Sequence, residues 1–120
     1  MGVPMTEQWG NETQVVAAIK RRILKEWSGS WVLKVAGGPY QEPGVPDLLA
    51  CVQGQFIGLE VKHRKPGESR QHALGRASVQ QREQIRRIWK AGGTAEVVIS
   101  PDEAAEVVRV ALLRSPQVES

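Results

Sequence analysis

Three charged side chains in the middle of the chain are spaced for chemistry on a phosphate ester. Asp47 follows Pro46 and opens an apolar run, Leu48 to Val52, while Glu60 and Lys62 close a second run that starts at Phe56. Gln53-Gly54 between the runs reads as a tight turn, so the two form a hairpin. Counting back through that turn sets Asp47 opposite Glu60. Side chains alternate across a strand, so Glu60 and Lys62 share one face while Ile57, Leu59 and Val61 fill the other. Gly58, on the charged face, leaves space near them. Two adjacent carboxylates repel each other unless a cation lies between them. Mg²⁺ takes hard oxygen ligands, usually one or two carboxylates with water and phosphate oxygens. Such a site activates water and stabilises the charge of an in-line phosphodiester displacement, with Lys62 set to orient the water or neutralise the transition state. A cross-strand surface ion cluster uses the same three residue types. The joint occurrence of Pro-Asp, hairpin spacing and Glu-x-Lys after an apolar strand favours the reactive reading.

The elements around the hairpin follow from capping and periodicity. Asn11, with Gln14 three residues on, opens a helix from Glu12 to Trp27, and Val16, Ile19, Ile23 and Trp27 form its apolar stripe. Trp31 to Val35 reads as a short strand, followed by a loop marked by Gly37-Gly38-Pro39 and Pro43-Gly44. Residues 63–77 are polar, basic and Gly-containing, and read as a mobile insert. Ser78 and Gln81 make a capping-box pattern for a helix through Lys90, ended by Gly92-Gly93. A fourth strand spans Glu96 to Ile99. Ser100-Pro101 then starts a last helix to about Arg114. The order α-β-β-β-α-β-α predicts an α/β domain, a mixed central sheet flanked by helices.

Length and composition bound the rest. One hundred and twenty residues fit one domain, expected over 11–114, with loose ends at 1–10 and 115–120. The 41% hydrophobic and 24% charged fractions are those of a globular domain. A single Cys excludes an intrachain disulfide and suits a reducing cytoplasm. No apolar run approaches the roughly 20 residues of a membrane span, and no secretory signal pattern is present. The net charge is +3, unevenly spread: residues 62–90 hold nine Lys/Arg against two acids, the remainder seven against eleven. A basic segment on a near-neutral body is a footprint for a polyanion, although a solvated helix face has the same composition.

Val45-Pro46-Asp47, then twelve residues, then Glu60-Val61-Lys62 resembles the PD-(D/E)xK nuclease motif. The finer resemblance is to the virus-type replication-repair nuclease domain, VRR-NUC. It is carried by Gly44-Val45-Pro46-Asp47-Leu48-Leu49, Gly58-Leu59-Glu60-Val61-Lys62, Ser78-Val79-Gln80-Gln81 and Ala91-Gly92-Gly93, over roughly residues 11–110. The 63–77 insert departs from it, since related chains often run more directly from ExK to Ser-x-x-Gln.

The resemblance implies a restriction-endonuclease-like core and a Mg²⁺- or Mn²⁺-dependent DNA endonuclease. Its catalytic residues would be Asp47, Glu60, Lys62 and Gln81, and its metal ligands Glu12, Asp47, Glu60 and the Val61 backbone carbonyl. It further implies branched DNA, four-way junctions included, cut by a homodimer, as in phage-type nucleases of replication and repair. Glu12 falls on the apolar stripe of the first helix, where a carboxylate is costly unless satisfied; the rival reading is an acid favouring the helix dipole. Gln81 has the capping box as its rival role. Arg64, Lys65, Arg70 and Arg76 are expected to hold DNA phosphates. His63 and His72 read as solvated, and Cys51 as buried and inert. Tyr40 and Glu42, in the loop before Asp47, are within reach of substrate and receive no role.

Overall fold

Asn11 starts the first helix by its side chain: Oδ1 accepts from the Gln14 backbone N–H at 2.9 Å. Helix α1 spans Glu12–Glu26, and Trp27 caps its end one residue earlier than periodicity predicts. Val15, Val16, Ile19 and Ile23 are its buried stripe. The computed structural model describes residues 10–114; the loose ends expected at 1–10 and 115–120 lie, Gly10 apart, outside the described residues.

Strands β1 (Trp31–Lys34), β2 (Leu48–Val52) and β3 (Gln55–Val61) form an antiparallel meander. Gln53 and Gly54 both adopt positive φ, 49° and 81°, the turn whose twist matches the flanking strands. The register is the one counted from sequence: Val52 pairs Gln55 and Leu48 pairs Leu59, so Asp47 lies one step beyond the ladder, opposite Glu60. A crossover through α2 (Arg70–Gly75) and α3 (Val79–Lys90) returns β4 (Thr94–Val98) parallel to β3. Helix α4 (Pro101–Arg114) closes the described chain. The sheet order is β1-β2-β3-β4.

Strand alternation decides the two layers. Leu48, Ala50, Val52, Ile57, Leu59, Val61 and Val98 face α1 and α4 and form the core with Ile19, Ile23, Ala104 and Val108. On the other face α3 lies over β3 and β4. Gly58 permits that approach, since a Cβ there would meet Ile88 Cδ1 at 3.0 Å and Pro46 Cγ at 3.1 Å. The space expected beside the charged pair is therefore filled, by the helix that carries Gln81.

Other expectations need correction too: β4 runs Thr94–Val98, starting two residues before the expected Glu96. The 63–77 segment is folded rather than mobile. Ser69 caps the short helix α2, and Glu68, its side chain 8% exposed, accepts from the Lys65 backbone N–H, His72 and Arg76. A carboxylate with so many donors organises a polar segment that has little apolar surface of its own. Cys51 is exposed, not buried. It sits between Trp31 and Phe56 on the outer sheet face, and both of those neighbours are exposed too.

Candidate active site

Glu60 is the centre of the site. The β3 alternation points it away from the core, yet it is 1% exposed because α3 covers that face. Its Oε2 accepts from Gln81 Nε2 at 2.8 Å and pairs with Lys62 Nζ at 3.6 Å. Its Oε1 is buried and receives no hydrogen bond. Asp47 lies beside it, but a carboxylate cannot donate to a carboxylate unless one of them is protonated. Burial pushes the Glu60 carboxyl up to about 8; the charge of Asp47 adds to the rise, and Lys62 opposes it.

Asp47 is fixed from two sides. Its Oδ2 accepts from the Val61 N–H at 2.7 Å, and its backbone carbonyl accepts from the Val35 N–H at 2.8 Å. The first bond extends the hairpin ladder by a side chain and draws Asp47 to the end of β3. In a strand the N–H and C=O of one residue point the same way. The Val61 carbonyl therefore points to the side where Asp47 lies.

Gln81 closes the capping box and also touches the Glu60 carboxylate. Its Oε1 accepts from the Ser78 N–H at 2.8 Å, completing the capping box, while Nε2 reaches Glu60. The helix cap thus holds the amide in one orientation toward the carboxylate. Glu12 enters from the start of α1. Burial and then the Asp47 charge raise its carboxyl above the ordinary range, and Lys62, Arg76 and His63 oppose the rise. Glu12 therefore feels the field of the same cluster, but it is exposed in the first turn of α1 and not part of the buried stripe on which the sequence set it.

The donor set fits a hard divalent cation: oxygen only, with one buried carboxylate oxygen lacking any donor. Among the described residues no three His, Cys, Asp or Glu side chains gather into a ready cage. The fit is to a site of two carboxylates, Asp47 and Glu60, with the Val61 carbonyl, and Glu12 stands at its margin. That arrangement suits Mg²⁺, which keeps several waters and shares its shell with phosphate oxygens.

Of the four cations expected on DNA, three have protein partners. Arg70 pairs with Glu103, Arg76 with Glu68, and Arg64 donates to the Glu68 carbonyl at 2.6 Å. The Lys65 ammonium has no ion pair among the described residues. Sequence reasoning missed the Glu68 hub. The Glu68/His72 spacing of four and the Ser69 cap were its visible signals.

No protein-family model matches the sequence, and no curated protein matches it significantly. A solved structure described as a "VRR_NUC domain" superposes with a TM-score of 0.58 at 23% identity, over 82% of this chain and 94% of that one. The likeness is one of fold: the chain has the fold of a VRR-NUC domain.

Proposed function

We propose, from this fold and the residues it gathers, that the protein is a metal-dependent endonuclease that hydrolyses phosphodiester bonds in DNA. One observation carries the reading. Glu60 is buried with an oxygen that no donor satisfies, beside Asp47 and within reach of Lys62. A fold seldom keeps such a group without a use for it.

Asp47, Glu60 and the Val61 carbonyl would hold Mg²⁺ or Mn²⁺, with Glu12 at the edge. Bound there, the ion would supply a Lewis acid for the scissile phosphate and activate water for attack. Gln81 keeps the Glu60 carboxylate aimed, because its own amide is held by the capping box. Lys62, 3.6 Å from Glu60, contributes a positive charge where the transition state gathers negative charge. The substrate we propose is branched DNA, four-way junctions included, cut by a homodimer. A domain this small offers little surface to grip two DNA arms. Exposed Trp31, Leu33 and Phe56 on the outer sheet face supply apolar area for a second copy.

A cleavage panel of linear, flap and four-way substrates, with Mg²⁺ and with Mn²⁺, tests the reading. The wild-type chain cuts the branched substrates, and Asp47→Ala abolishes cutting without unfolding. Lys62→Ala lowers turnover by on the order of 10²–10³ with little change in affinity. Binding without cleavage under either metal would instead make the chain a nucleic-acid-binding module. Sedimentation of the free protein tests the dimer.

A further inference from the structure

The loop of residues 36–46 joins two ends that touch. Val35 and Asp47 are hydrogen-bonded backbone to backbone at 2.8 Å, so the loop leaves and re-enters the fold at the proposed active site. Its returning limb is clamped to α3. Gly44 lies so close that a Cβ would sit 2.3 Å from the Gln80 carbonyl oxygen, and Gln84 Nε2 donates to the Pro43 carbonyl at 3.3 Å. The other limb turns sharply, with the Gln41 N–H bonded to the Gly38 carbonyl at 3.0 Å. That turn presents Tyr40, the chain's single Tyr, at 100% exposure. An aromatic side chain in full contact with water gains nothing for the fold. Trp89 is half-buried over β4 and bonded to the Ala95 carbonyl, and Trp31 and Phe56 stand at the opposite, turn end of the hairpin. Tyr40 is seven positions before Asp47, so an extended limb keeps it within about 25 Å of the site, and the anchored loop brings it closer. Gly37 and Gly38 beside it are bounded by open space, which leaves room for a nucleic-acid backbone.

We propose that Tyr40 is a specificity-determining residue that stacks on an unpaired base near the scissile phosphate. The inference rests on the nuclease reading and names its substrate more closely. The bases of a continuous duplex are stacked on each other and give an aromatic side chain no face. A strand at a branch, flap or single-stranded end does. Stacking is tolerant of sequence, because every base has a π-face. Tyr40 therefore selects DNA by structure and not by base identity.

The test uses the full-length protein and binding measured by fluorescence anisotropy in Ca²⁺. Three probes are compared: a flush duplex, a duplex with a single-stranded branch, and the same branch with abasic nucleotides. Tyr40→Ala weakens binding of the branched probe by roughly five- to a hundredfold, the range of one base–aromatic stack. It leaves the flush duplex unchanged, and Tyr40→Phe matches wild type. The abasic branch reduces wild-type affinity to the level of Tyr40→Ala. Equal loss on every probe, or no loss on any, overturns the proposal. Cleavage in Mg²⁺, run in parallel, separates the two readings. Wild-type cutting with an indifferent Tyr40 sinks this inference alone, and a chain that binds but never cuts sinks the nuclease reading alone. A wild-type chain that binds no probe overturns both.

Discussion

At the scale of single residues, Glu60 sets stability against use. Its carboxyl is pushed up to about 8, above the ordinary 4.5, first by burial and then by Asp47. Near pH 7 the metal-free fold therefore prefers the neutral form, while the unfolded chain is ionised. A raised acid contributes stability that is full below the unfolded pKa and is lost as pH rises through the folded one. Glu60→Gln keeps the shape and the Gln81 contact and removes the charge. It should raise the stability of the metal-free chain at pH 7–8 by on the order of 1–3 kcal/mol. The same variant should lose cleavage. Thermal melts in EDTA check the first part, and a variant less stable than wild type would show that Lys62 already satisfies the carboxylate.

At the scale of elements, the site depends on how the loop before β2 is seated. Gly44 has φ 82° and no room for a Cβ against the Gln80 carbonyl. Gly44→Ala therefore combines left-handed strain with a backbone collision, and should cost more than about 2 kcal/mol. The loop would lift from α3 and take Asp47 with it, so cleavage should fall further than the melting temperature alone accounts for. Far-UV spectra with a matched cleavage assay separate local from global damage. The folded insert predicts a pH dependence of its own. The Lys65 N–H, Arg76 and His72 hold the Glu68 carboxyl at about 2. A depressed acid contributes stability above its unfolded pKa, 4.5 here, and loses it as pH falls through the folded value. Wild type should therefore lose stability between about pH 4.5 and 2 more steeply than Glu68→Gln. Parallel curves would mean that the insert is uncoupled from folding.

At the scale of the whole molecule, charge is less available than composition suggests. Residues 62–90 hold nine basic side chains, yet Arg70, Arg76, Arg86 and Arg87 are paired with acids. These are mostly exposed pairs, which phosphates can displace. Lys65 needs no such exchange and is the clearest candidate for a phosphate contact. Lys65→Ser should weaken DNA binding equally for all sequences and flatten the plot of log affinity against log salt by about 0.9. An unchanged slope would remove Lys65 from the interface. No helix among the described residues is long and apolar enough to cross a membrane.

The hairpin, its register and the helix that carries Gln81 are legible from the residues alone. Each rests on local chemistry: a two-residue turn, strand alternation and a capping box. The shared face of Glu60 and Lys62 is legible in the same way. Tertiary structure alone decided that α3 covers that face, and so made a strand carboxylate into a buried one with an unsatisfied oxygen. It decided that Gln81 caps its helix and reaches Glu60 at once, because that depends on the distance between two elements. It folded the 63–77 segment around Glu68, where no apolar periodicity exists to read. It left Cys51 exposed, since α3 packs on β3 and β4 and not on β1 or β2. Burial of an outward-facing strand residue depends on which neighbour lies above it, and no property of the strand's own sequence specifies that.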